Sequence, residues 1–325
     1  MFMSNNLDII DKTILFELDK NCRMSDNQLA KIVKRSREAV RNRVKNLQKR
    51  GIIQGFITAI NPTKYGYMFF KIYFQLQNNE PERKKLYHYL MNHPQLYWFS
   101  GNDGVWDLHC TFFAKDVDEF SKIKNNLYLQ FKHIILKRDI GVLIQTWQYN
   151  KIYFMQGKKK LEPFSFAGKI EDIILDDLDK KLLTLLLNNA RIPLVELAQK
   201  TQSTVDIIRR RMKNMEQSGI ILKYRIAVDH RKLGFIMFKA FVYFHTISEK
   251  EEKKLLQYSL EHPNIVYLIK QFSSWDYEIE IMAKSYEEFI AIMNEVKEMF
   301  SESIRNYEFC LLRDDVWVFS KNDII

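Results

Sequence analysis

The chain has 325 residues, with 50 Lys and Arg against 40 Asp and Glu, a formal net charge of +10 and a pI near 9.2. Hydrophobic residues make up 46% and charged residues 28%, which excludes a disordered polyelectrolyte and a low-complexity fibre. No apolar run reaches about 18 residues, and the opening residues lack a basic segment followed by an apolar one, so neither a membrane span nor a secretory leader is expected. Cys22, Cys110 and Cys310 lie too far apart for a metal knuckle or a disulfide framework, which suits a reducing, cytoplasmic setting.

The basic surplus is local. Residues 7–66 hold 13 Lys and Arg against 6 Asp and Glu, residues 67–160 hold 14 against 8 and residues 175–234 hold 12 against 7, whereas residues 161–174 hold 1 against 3 and residues 235–325 hold 10 against 16. A basic surplus confined to certain blocks suits an acidic polymer as partner, or equally a solvated basic surface. Two of the blocks also match each other. Residues 7–71 align with 175–239 without a gap, at an offset of 168, with 22 of 65 positions identical. One inserted residue then shifts the offset to 169, pairing His93-Pro94 with His262-Pro263 and Trp106-Asp107 with Trp275-Asp276. The chain is therefore a tandem duplication.

In chain order, Ile10, Ile14, Leu15 and Leu18 recur at helical spacing. Ser25-x-x-Gln28 is a capping box opening a second helix, and in the copy Pro193 replaces the serine, as a first helical turn tolerates. After Lys34-Arg35-Ser36 a third helix is predicted over Arg37 to Lys49, ended by Gly51. Val40, Val44 and Leu47 form its inward stripe, while Arg37, Arg41 and Lys45 share another face beside Glu38 and Asn42. A row of cations repels itself unless phosphates face it. The copy keeps the inward stripe as Ile208, Met212 and Met215. Its outward face, Thr204, Val205, Asp206, Arg209, Arg210 and Lys213, is less basic at the start. Arg43 and Arg211 flank the inward stripe and can pair with Asp11 and Asp179 instead. Two short apolar stretches with strand character, Ile52 to Ile60, closed by Asn61-Pro62, complete a winged helix-turn-helix.

Met68, Phe70, Ile72, Phe74 and Leu76 then alternate as one strand face. A helix is expected over Arg83 to Met91, strands over Leu96 to Ser100 and Val105 to Phe113 joined by Gly101-Asn102-Asp103-Gly104, a helix over Asp116 to Phe131, and extended chain from Ile134 to Phe154. The order β-α-β-β-α-β is that of a ferredoxin-like sandwich. Both helices cover one side of such a sheet, leaving the side of Tyr73 and its copy Phe241 to be buried by dimerisation. The expected class is α+β, with two tandem units, each a winged helix-turn-helix followed by a ferredoxin-like βαββαβ domain. The divisions fall at 1–66, 67–156, a linker at 157–174, 175–234 and 235–325. The 18-residue linker spans roughly 60 Å when extended, enough for the two ferredoxin-like domains to pair within one chain or between chains.

Leu7-Asp8-x-x-Asp11, Leu29-Ala30, the run Arg41-x-Arg43-Val44-x-x-Leu47-x-x-x-Gly51-Ile52-Ile53, and Gly104-Val105-Trp106-Asp107 together resemble the leucine-responsive regulator/AsnC (Lrp/AsnC) family of transcription factors. The resemblance implies binding of double-stranded DNA, dimerisation through the ferredoxin-like domain and, in many members, an amino-acid effector. It implies no enzyme activity and no cofactor. Ser36, Arg37, Glu38, Arg41 and Asn42 would lie nearest base edges, with Lys34, Arg35, Lys45 and Lys49 toward phosphates; Thr204, Arg209, Arg210 and Lys213 serve the second head. Unequal heads imply an asymmetric site. The effector loop resembles G-x-x-D at Gly104 and Asp107, whereas the copy reads Ser273-Ser274-Trp275-Asp276. Either aspartate equally suits a turn or interface role.

A second class, the siroheme decarboxylases, looks like the same family and implies histidine and arginine in the ferredoxin-like domain that hold a tetrapyrrole carboxylate. His109 is a candidate on its strand, although its counterpart is Glu278; His93 and His262 precede proline at helix ends and suit capping. A third option is an adaptor whose second winged helix binds protein. No H-E-x-x-H, phosphate-binding glycine loop or G-x-S-x-G occurs.

Overall fold

The computed structural model describes residues 7–149 and 163–317. Each winged helix forms where its stripe and caps direct. In the first unit α1 spans Ile9–Lys20, α2 Asp26–Val33 and α3 Arg37–Lys49, followed by β1, Ile53–Ile60. Asp8, Ser25 and Ser36 cap the three helices, and Ser25 with Gln28 closes the capping box. Gly51 follows α3 with φ +66°, where glycine avoids the Cβ penalty. Ile14, Leu15, Leu18, Leu29, Val40, Val44 and Leu47 fill the core between the helices.

The wing departs from the expectation of two strand stretches inside one unit. Each unit supplies one strand, and β1 pairs antiparallel with the second unit's equivalent. In the second unit α6 covers Asp177–Asn188, α7 Leu194–Lys200, α8 Val205–Gln217 and β7 Ile221–Val228. Pro193 sits one residue outside the helix, as its N-cap, without a side-chain cap bond. The β1–β7 ribbon joins the two winged helices into one body. Thr58 donates to the Leu186 carbonyl at 2.7 Å, and Arg225 on β7 grips Asp19 on α1 through two bonds of 3.1 and 2.6 Å, both residues buried.

The rest of the first unit runs β2 (Met68–Leu76), α4 (Glu80–Met91), β3 (Leu96–Gly104), β4 (Leu108–Ala114), α5 (Val117–Phe131), β5 (Ile135–Gln148) and β6 (Phe164–Ala167). The second runs β8 (Ile236–Phe244), α9 (Glu249–Glu261), β9 (Ile265–Phe272), β10 (Tyr277–Ala283), α10 (Tyr286–Met299) and β11 (Ile304–Trp317). The alternation in β2 sends Phe70, Ile72 and Phe74 toward α4 and α5, where Phe70 stacks on Phe120 at 4.2 Å; Phe238 repeats this on Phe289 at 4.5 Å. The opposite faces meet each other. Strand order β2-β4-β3-β11-β8-β10-β9-β5, with β5 pairing back to β2, closes the two four-stranded sheets into a ring, with β6 beside β5. Closure pairs the edges of each four-stranded sheet with those of the other.

The pairing of the two domains is thus made within this chain. Tyr73 and Phe241, expected to need cover, are fully buried against each other with ring centroids 5.9 Å apart. Of the stretch expected as a linker, 157–162 lie outside the described residues, as does the end of the predicted strand beyond residue 149; residues 164–167 are built into the sheet as β6. Among the described residues no helix is long and apolar enough to cross a membrane.

Candidate nucleic-acid interface

The residues expected to meet DNA lie on α3 and α8 and in the turns that precede them. The turn between α2 and α3 contains Lys34 in the left-handed region, with φ 52°, and its counterpart Gln202 has φ 53°, so both heads use the same backbone turn. Arg35, Ser36, Arg37, Glu38, Arg41, Asn42 and Lys45 are all exposed, as are Thr204, Arg209, Arg210 and Lys213. The cationic face of α3 therefore lies opposite its buried Val40, Val44 and Leu47.

Several of these side chains also hold the head together. Ser36 and Thr204 accept N-cap bonds from Ala39 and Ile207 at 3.2 and 3.3 Å. Arg41 contacts Asp26 on α2 at 3.1 Å while remaining about half exposed, and Asp26 is shared with Arg191 of the second unit at 3.4 Å. Arg209 pairs with Asp206 at 2.5 Å, which lowers the free positive charge at the start of α8. Arg43 is taken by Asp8 and Asp11, and Arg211 by Asp176 and Asp179, so the pair is structural.

Gly104 and Asp107 have packing roles. Gly104 ends β3 at φ +138°, and a Cβ there would lie 2.7 Å from the Phe309 carbonyl oxygen and 2.9 Å from Cys310 Cα. The equivalent junction between β5 and β9 has Ser273 at the aligned position, and Gly141 stands where β11 has Cys310; a Cβ on Gly141 would sit 3.1 Å from Gln271 Oε1 and 3.4 Å from Ser273 Cβ. Each junction keeps one glycine, on opposite strands. Asp107 accepts from Leu76 N–H at 2.8 Å and pairs with Arg83 at 3.0 Å, while Asp276 repeats the first bond with Phe244 N–H. The aspartates fasten turns to neighbouring strands.

The histidines divide. Nδ1 of His93 and of His262 accepts from the N–H of Gln95 and of Asn264, each at 3.2 Å, the turn role expected of them. His109 is fully enclosed between Tyr73 and Trp98, with Nδ1 2.7 Å from Asn102 Nδ2; burial, reinforced by nearby Lys239, holds its pKa well below the usual histidine value. Around it lies a cluster that sequence reasoning missed: Lys71, Lys239, Glu278, Glu280 and Tyr73, all inside the ring of strands. The available signal was a lysine at one aligned position in two otherwise apolar strands.

A winged helix-turn-helix DNA-binding family model matches residues 7–54, and an AsnC-type helix-turn-helix domain matches residues 175–216. The HTH-type transcriptional regulator FL11 of Pyrococcus furiosus is 30% identical over 118 residues, 35% of this chain and 75% of that protein. The chain belongs to the Lrp/AsnC family. LrpB of Bacillus subtilis is 44% identical over 70 residues, 22% of this chain and 46% of LrpB. The crystal structure of the siroheme decarboxylase NirDL matches 97% of this chain and 93% of its own, with a TM-score of 0.62 at 11% identity, a likeness of fold. The duplicated architecture is thus shared with a second protein.

Proposed function

We propose that this Lrp/AsnC member is a sequence-specific DNA-binding transcriptional regulator whose α3 and α8 enter the major groove. The observation that carries the reading is the exposed cationic face of α3, set on a head tied to its twin by the β1–β7 ribbon. Ser36, Arg37, Glu38, Arg41 and Asn42 lie nearest base edges, and Lys34, Arg35, Lys45 and Lys49 approach phosphates. Arginine can grip guanine bidentately, and asparagine adenine. In the second head Thr204, Arg209, Arg210 and Lys213 take these roles more weakly, because Val205 replaces Arg37 and Asp206 neutralises Arg209. The operator is therefore asymmetric.

The test is a binding titration at several salt concentrations. Affinity falls steeply with salt, and Arg37→Ala or Arg41→Ala weakens binding by about 1–3 kcal/mol if the residue reads a base pair. Binding that is flat with ionic strength and indifferent to both substitutions refutes the proposal.

An amino-acid effector belongs to the same reading, although Gly104 and Asp107 already serve the sheet. A cavity of about 120 Å³ between the wing ribbon and the barrel offers the better place. Arg231 and Asp229, which pair with each other at 3.3 Å, and Arg313, which pairs with Asp103 at 3.2 Å, would exchange those partners for the carboxylate and ammonium of the effector, with Met237, Val266 and Met282 against a small side chain.

The shared fold with NirDL favours a second reading, a siroheme decarboxylase-like enzyme. Against it, His109 is walled in by aromatic rings and its partner position is a carboxylate. Purified protein whose absorption is unchanged on adding an iron porphyrin counts against the enzyme; a bound, altered spectrum favours it.

A further inference from the structure

The ring of strands encloses a charge set that the duplication makes readable. Lys71 and Lys239 occupy equivalent positions, and so do His109 and Glu278, and Thr111 and Glu280. Register confirms the equivalence: Lys71 lies opposite Thr111 and Tyr73 opposite His109 in the first unit, as Lys239 lies opposite Glu280 and Phe241 opposite Glu278 in the second. Both lysines converge on Glu278 Oε2, at 2.7 and 2.9 Å, and Lys239 also reaches Glu280 Oε1 at 2.9 Å. Glu278 Oε1 accepts from Tyr73, Gln271 and Trp275. In the first unit the equivalent indole N–H, on Trp106, meets no acceptor among the described side chains. Lysines therefore come from both units, and carboxylates from the second alone.

This arrangement balances in one combination. A first unit facing a second unit encloses two ammonium and two carboxylate groups. Two first units would enclose two ammonium groups with only His109 and Thr111 opposite, and two second units would enclose four carboxylates against two ammonium groups. Buried charge without a partner is strongly unfavourable, whereas a matched, hydrogen-bonded set is tolerated. We infer that the buried lysine–glutamate cluster makes the two units obligate partners of each other, so that the inner face of the first unit accepts a second-type unit and rejects a copy of itself. Pairing of like units from neighbouring chains is consequently disfavoured. The two heads are then always presented as one strong and one weak reader, never as a matched pair.

The test uses the full chain in three versions, read by thermal midpoint and by mass in solution. The depleted version, Glu278→His with Glu280→Thr, leaves two lysines with no carboxylate. The crowded version, His109→Glu with Thr111→Glu, encloses four. The transposed version combines all four changes with Tyr73→Phe and Phe241→Tyr, moving the acids and the hydroxyl to the other unit. Depleted and crowded chains should melt roughly 5–15 °C lower, or lose the single-chain species, and the transposed chain should recover most of the midpoint and the single-chain mass. A depleted or crowded chain that behaves like the parent overturns the inference. So does a transposed chain no better than the depleted one, which would mean that local contacts rather than charge matching hold the units together.

Discussion

Replacing Gly104 by alanine separates a packing role from a ligand-binding one. The residue sits at φ +138°, a region that L residues enter at a cost of about 1–3 kcal/mol. The added Cβ would lie 2.7 Å from a carbonyl oxygen and 2.9 Å from a Cα of β11, both backbone, so relief requires moving a strand of the other unit. Such overpacking adds roughly 1–3 kcal/mol, for a total near 2–6 kcal/mol. At about 2 °C per kcal/mol for a chain of this size, the midpoint should fall by roughly 4–12 °C. Gly55→Ala is the internal control. It lies on β1, where an added Cβ would meet nothing within 4 Å, and should change stability by less than about 1 kcal/mol. Thermal unfolding followed by circular dichroism measures both. A Gly104→Ala chain that melts within a degree of the parent refutes the packing argument and returns the glycine to the effector loop.

Three further outcomes follow from the same geometry. Arg225→Met leaves Asp19 buried without its partner and should destabilise by about 3–5 kcal/mol, while adding Asp19→Leu should restore much of the loss; denaturant titration of both decides. His109, His93 and His262 all have pKa values held below 6.5 by burial, so the unfolded chain binds more protons and stability should drain away as pH falls through 6.5. Each histidine contributes up to about 1.4 kcal/mol per pH unit, and His109→Gln should flatten that slope by one proton; an unchanged slope would show that His109 does not titrate on unfolding. For the effector, a small amino acid should raise the midpoint of the parent chain and not of Met237→Trp, which fills the cavity, and equal shifts in both would place binding elsewhere.

The parts of the molecule that were legible in sequence are those fixed by neighbours in the chain. The stripes at Val40, Val44 and Leu47, the Ser25–Gln28 box and the alternation from Met68 to Leu76 each encode an element locally, and each formed. What depended on the other unit was less visible. Gly101 to Gly104 reads as a connection, because turn residues dominate it, yet it forms the end of β3 through pairing with β11. The wing looked like two stretches of strand in one unit because nothing in Ile52 to Ile60 says that its partner lies on β7, far along the chain. Glu278 was visible only as the residue that is not a histidine; its meaning came from Lys71 and Lys239 arriving from two sheets.

Duplication within one chain changes what selection can do with a two-headed reader. In a pair of identical subunits, any substitution on the reading helix appears on both heads. Here Lys34, Arg35, Arg37 and Glu38 correspond to Gln202, Ser203, Val205 and Asp206, so the two heads differ in charge at the start of the helix. That freedom is useful only if the heads stay paired as unlike partners. The β1–β7 ribbon and the Arg225–Asp19 bridge fix their relative placement, and the enclosed lysines and glutamates disfavour any pairing of like with like. The difference in charge between α3 and α8 goes together with a difference at the centre of the ring of strands, where His109 and Glu278 stand in equivalent places. On the proposed DNA-binding reading, the more basic head would supply most of the affinity and the other would add register and direction along the duplex, because contacts at a fixed separation distinguish one orientation of an asymmetric site from the other.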